Sequence, residues 1–187
     1  AAALLAGCME HTLESSWAGG AIALDGKAPE WAGREAYYSE EEGFKVGFFN
    51  DADYLYIYLA TWNRQKQSQV LMNGFTVWID GKGKKRQILG VNYPMKRQMP
   101  DSTGMAAGMP SGMRTGRRPA PSPDLAGEQS QAPLLRMLEE ARGEMAILGP
   151  GNEPLAALSA ADGGGGAAAM IDIAHRTLAY ELRIPLA

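Results

Sequence analysis

Tyr54, Tyr56 and Tyr58 alternate along the run YLYIYLATW, and Trp62 falls on the same parity four positions later. In an extended strand, residues of one parity share a face. Trp78, in the run GFTVWID, can join them from a neighbouring strand. Aromatic rings with polar tips stack on the C–H faces of sugars and bond hydroxyls at their edges. Tyr54, Tyr56, Tyr58, Trp62 and Trp78 are therefore the candidate ligand-binding residues. The competing expectation is that these rings pack beneath the helix at 134–142 or beneath an insertion.

No other set of side chains offers comparable chemistry. The acids Glu40-Glu41-Glu42 and Glu139-Glu140 are contiguous. Glycoside hydrolysis needs two carboxyls set across a cleft, whereas adjacent acids read as solvated runs. There is no G-x-S-x-G elbow and no H-E-x-x-H helix, so no catalytic residue is assigned. His11 and His175 are isolated, and Cys8 is the one cysteine. That excludes an intrachain disulfide framework and a multi-thiolate metal site, and no metal ligand is assigned. Met95, Met99, Met105, Met109 and Met113 could suggest copper or haem. They lack His or Cys support and read as incidental to a low-complexity stretch. The four glycines at 163–166 lack the flanking strand and helix of a phosphate loop.

The elements that must hold these residues are mostly strands. The chain has 187 residues, 45% of them hydrophobic, which suffices for one domain with a core. Its 23 glycines and 11 prolines favour turns and β structure over a helical bundle. A short strand is expected at about 20–24, then a turn at Asp25-Gly26 and a loop that drops Trp31 onto the domain. Residues 44–48 and 54–62 form a hairpin around Asn50-Asp51-Ala52-Asp53. Residues 63–73 cross the top of the domain with a helical turn. Strands follow at 74–80, 87–93 and 145–148, with 168–174 and 176–186 as a last hairpin around His175-Arg176. Pro133 opens a helix that runs from Leu134 to Arg142. Residues 152–166 read as a loop. Residues 95–133, rich in Met, Gly, Pro, Ser and Arg, form an insertion expected to be disordered. The fold class is thus mainly β: an antiparallel β-sandwich with one short helix and a long insertion. The domain covers 20–187.

Residues 1–8 read AAALLAGC, an apolar run closing on small residues, as at the end of a signal peptide. Leu5-Ala6-Gly7-Cys8 resembles the bacterial lipobox. The resemblance implies that residues 1–7 end a signal peptide, that Cys8 carries the lipid, and that 8–19 are a tether. Several acyl chains give stable anchoring where one is marginal. The expected location is the cell envelope, on the outer-membrane or periplasmic side. The chain reads as a fragment, cut inside the signal peptide and inside the domain.

Three further stretches resemble the carbohydrate-binding-module family 9-like domains, a branch of the DOMON-like sandwiches. They are LDGKAPEWAG, FKVGFFNDADYLYIYLAT and LAYELRIPL, which span residues 24 to 186 in the family's order. The resemblance implies a β-sandwich. Its members include sugar-binding modules, haem-binding domains and lipoprotein domains, so fold alone does not fix function. Many members read V-x-D after the second strand, where this chain has Thr61-Trp62-Asn63. No calcium or ligand role carries over to that position. Calcium and haem therefore remain family cofactors with no residues assigned.

The expected function is a non-catalytic, membrane-anchored module that binds carbohydrate. The alternative is an assembly protein of the envelope that uses the sandwich to contact another protein, with haem binding third. A formal net charge of -3, with no basic excess, argues against nucleic acid.

Overall fold

A computed structural model describes residues 12–20, 22–27, 29–95, 132–161 and 166–186. Two sheets face each other. The larger contains β1 (Ser16–Trp17), β2 (Tyr37–Ser39), β3 (Phe44–Asn50), β4 (Tyr54–Thr61), β9 (Ala168–Ala174) and β10 (Thr177–Pro185). Its order is β1-β3-β4-β10-β9, with β2 also paired to β3. The smaller has the order β5-β6-β7-β8, from β5 (Phe75–Ile79), β6 (Leu89–Tyr93), β7 (Glu144–Leu148) and β8 (Pro154–Ser159). Among the described residues every pairing is antiparallel except the short contact of β1 with β3. The fold is mainly β and a sandwich, as its alternation and turns imply.

Turn chemistry sets the hairpins. The Asp51 carboxylate accepts from the N–H groups of Asp53 at 2.8 Å and Tyr54 at 2.7 Å, which closes the β3–β4 turn. His175 and Arg176 both have positive φ, 48° and 66°, as a tight turn between twisted strands requires. Asp80 gathers the basic loop 81–86 by accepting from the N–H groups of Lys82, Lys84 and Arg86, each at 2.9 Å.

The inner faces form the main core. Ile57, Ile171, Leu178, Tyr180 and Leu182 of the larger sheet meet Val91, Tyr93 and Met145 of the smaller. Two helices seal it, rather than the single one expected. The first, α1 (Arg64–Asn73), buries Val70 and Leu71, and the second, α2 (Ala132–Ala141), buries Leu134 and Leu138. They touch each other, and α2 also touches β9. The Asn63 side chain caps α1 by accepting from the N–H groups of Gln65 and Lys66. That cap turns the expected helical turn into ten helical residues.

Three other readings change. Residues 22–24 are not a strand, and the N-terminal strand is β1 instead. The stretch 152–166, expected to be a loop, contains the edge strand β8. The tether reading of 8–19 also gives way at its end, because Ala18 is buried and its N–H bonds the Asn50 carbonyl at 2.8 Å. The lipobox, Cys8 and His11 lie outside the described residues, as do 96–131 of the insertion.

Candidate functional site

Tyr54, Tyr56 and Tyr58 do share the outer face of β4, but it is a covered face. Tyr56 and Tyr58 are buried, and Tyr54 is half-buried. The cover is the N-terminal segment, with Ala18, Ile22 and Trp31 packed on the sheet. A single 3-10 turn at Pro29–Trp31 delivers Trp31. Its ring lies against Phe49, with centroids 4.4 Å apart, and against Tyr58 at 5.0 Å. Gly47 makes that possible, because a Cβ there would meet Trp31 Cε3 at 2.8 Å.

A buried acid holds this cover down. Glu181 of β10 is fully buried. It accepts from the Gly26 N–H at 2.8 Å and from Trp31 Nε1–H at 3.2 Å. Burial pushes its pKa up against the pull of those two donors, and the carboxylates of Asp25 and Glu30 push it further. Burial also raises the Tyr58 hydroxyl, to about 12. Tyr56 rises to about 12 as well, through burial and its bond to Asp51 Oδ2 at 2.8 Å. These hydroxyls stay protonated and serve packing.

The five expected ligand residues therefore fall in three places. Tyr54, Tyr56 and Tyr58 lie under the N-terminal cover. Trp78 lies on the other sheet, with its ring over Gly90. Its neighbours Val77 and Ile79 point into the core, which leaves Trp78 on the outer side. Trp62 follows the end of β4, half-buried, and stacks on Tyr38 with centroids 5.6 Å apart and planes 29° apart. Tyr38 is 59% exposed. Its position in the three-residue strand β2, just before an acidic turn, gives no periodic signal.

Two open features lie at one end of the β3–β4 hairpin. One is the Tyr38–Trp62 pair. The other is a trough of about 610 Å³ between this hairpin, α1 and β5. Phe44, Val46 and Leu59 wall it on one side, and Val70 and Phe75 on the other. Lys66, Gln69 and Asn73 of α1 form a polar lip. Lys66 Nζ sits 4.5 Å above the Phe44 ring and 3.9 Å from Glu42 Oε2. Thr61 also lines the trough, but its hydroxyl donates to the Gly43 carbonyl at 2.7 Å.

Among the described residues, no three of His, Cys, Asp and Glu converge as metal ligands. No described helix is long and apolar enough to cross a membrane. The class the fold defines is a two-sheet β-sandwich. No family model, curated protein or solved structure matches the chain.

Proposed function

We propose that the chain is an exported lipoprotein, lipidated at Cys8, whose sandwich is a non-catalytic carbohydrate-binding module. The observation that carries this reading is the stacked pair of exposed Tyr38 and half-buried Trp62. Two rings at a surface, one with a hydroxyl at its edge, offer a stacking platform for a sugar ring. The tyrosine ladder of β4 is not that platform, because it is packed under Trp31.

The test is a titration of the chain with plant and bacterial polysaccharides, followed by tryptophan fluorescence. A saturable shift that Tyr38→Ala and Trp62→Ala abolish, and Trp78→Ala leaves intact, supports the reading. No response to any glycan, or a response indifferent to Tyr38 and Trp62, overturns it. The anchor has its own test in a bacterium fed labelled fatty acid. Label in the full-length precursor that is lost in Cys8→Ser supports lipidation, and equal label in both overturns it.

One observation favours a second reading, protein contact within the envelope. Trp78, Leu148 and Leu155 give the outer side of the smaller sheet an apolar character, and Leu155 is 58% exposed. A glycan-negative result together with loss of a cross-linked partner in Leu155→Glu supports that alternative.

A further inference from the structure

The trough beside α1 divides its chemistry sharply. Its walls are hydrocarbon: Phe44, Val46, Leu59, Val70 and Phe75. Its free polar groups lie along one lip, from Lys66, Gln69 and Asn73. Those positions are spaced three and four apart, so they stand in one row on the helix. The lip carries a cation and two carboxamides, and among the described residues no acid lines the trough. Glu42 reaches the Lys66 ammonium from outside, at 3.9 Å, with 55% of its own side chain exposed. An exposed contact of that length holds Lys66 only weakly, so a better anion displaces it.

We infer that this trough binds a single-chain amphiphile with an anionic head, a long-chain carboxylate. The alkyl chain lies between the sheets against Leu59, Val70 and the two phenyl rings. The carboxylate sits at the lip, where Lys66 pairs with it and Gln69 and Asn73 donate side-chain N–H groups. A volume of about 610 Å³ suits a small molecule of this kind. A sugar fits the interior poorly. Its hydroxyls would lose water against Val46, Leu59 and Val70 without gaining partners. This site is separate from the Tyr38–Trp62 platform and does not depend on the carbohydrate reading.

The test is calorimetric titration of the 187-residue chain with octanoate, decanoate and laurate below their micellar concentrations, with the matching alcohols as neutral controls. The inference expects one saturable site. Affinity rises about fourfold for each methylene buried, until the trough is full. The carboxylate binds more tightly than the alcohol of equal length. Lys66→Gln, a change at a solvent-facing lip, weakens the carboxylate severalfold and leaves the alcohol unchanged. Val70→Asp, checked for native circular dichroism, abolishes binding of both. Absence of saturable binding, or affinity that ignores chain length, overturns the site. Equal effects of Lys66→Gln on carboxylate and alcohol overturn the anionic head. Glycan binding at Tyr38–Trp62 serves as an internal control, since its loss in Lys66→Gln would report general damage and its failure in the parent chain would leave the amphiphile result standing.

Discussion

Trp31 Nε1 donates to Glu181 Oε1 across 3.2 Å, and 150 positions of chain separate the two residues. Both are fully buried. The bond fastens the loop before β2 to the final strand, and the Gly26 N–H adds a second bond to the same carboxylate. The stretches LDGKAPEW and LAYELRIPL thus meet in one place. Their shared residues position a cover over the sheet.

Removing that carboxylate exposes its importance. Glu181→Ala leaves Trp31 Nε1–H and the Gly26 N–H buried without acceptors, at a cost of about 1–3 kcal/mol for each donor. Urea unfolding is expected to show a loss of about 3 kcal/mol. A loss below about 1 kcal/mol would show that both donors find other partners.

The pH dependence has two opposed contributions. Burial raises the pKa of Glu181, so the folded protein holds that proton more tightly than the unfolded chain does. Its contribution is fullest below the ordinary glutamate value of about 4.3 and declines as pH rises through the folded pKa. Glu35 behaves oppositely. The Lys45 ammonium, bonded at 2.7 Å, holds its carboxyl below the usual range. That contribution is present above the ordinary range and is lost as pH falls through the folded pKa. Urea midpoints measured from about pH 2 to about pH 8 check both signs. The parent should lose ground to Glu181→Gln as pH rises, and gain ground on Glu35→Gln.

Two glycines lie beneath tryptophan rings and should differ in tolerance. A Cβ at Gly47 would approach Trp31 to 2.8 Å, and one at Gly90 would approach Trp78 equally closely. Trp31 is fully buried, packed against Phe49 and Tyr58, and cannot withdraw. Gly47→Ala is expected to cost about 1–3 kcal/mol. Trp78 is half-exposed and can swing outward, so Gly90→Ala should cost less. Paired thermal unfolding checks the order, and the reverse order would contradict the packing described.

The aromatic residues of β4 and its end separate by role. Tyr58→Ala empties the space beside Trp31 and should cost about 3–5 kcal/mol. Trp62→Ala should cost clearly less in stability while removing glycan binding. Denaturation and glycan titration of the same two variants check the separation. Full stability in Tyr58→Ala would mean that the N-terminal cover does not depend on it.

Much of the framework was legible in local chemistry. Alternation over 44–50 and 54–61 with the Asp51 turn defines the first hairpin. Paired positive-φ positions at His175-Arg176 fit the last one. What escaped was set by distant contacts or by weak patterns. β8 is rich in alanine, and its exposed residues give it no clear alternation, so it passes for a loop. The α1 helix has a polar first turn, and the Asn63 cap was its only strong start signal. The parity of the tyrosine ladder was plain, but which body covers it was not. That depends on Trp31 reaching a carboxylate at the far end of the chain. Tyr38 gains meaning only once β2 pairs beside β3 and sets it next to Trp62.

The pairing of β1 with β3 also fixes a leash length. Ser16 is stitched to the larger sheet, its Cα opposite Phe49, and Ser15 Oγ donates to Asn50 Oδ1 at 2.9 Å. If Cys8 carries the lipid as proposed, seven residues, and so eight Cα–Cα steps, join the anchor to Ser16. Fully stretched they span about 25–30 Å. A domain so short-tethered cannot sample the surrounding compartment. It would patrol a thin layer above the headgroups, meeting ligands that reside in or leave the bilayer at a local concentration far above that in bulk solution.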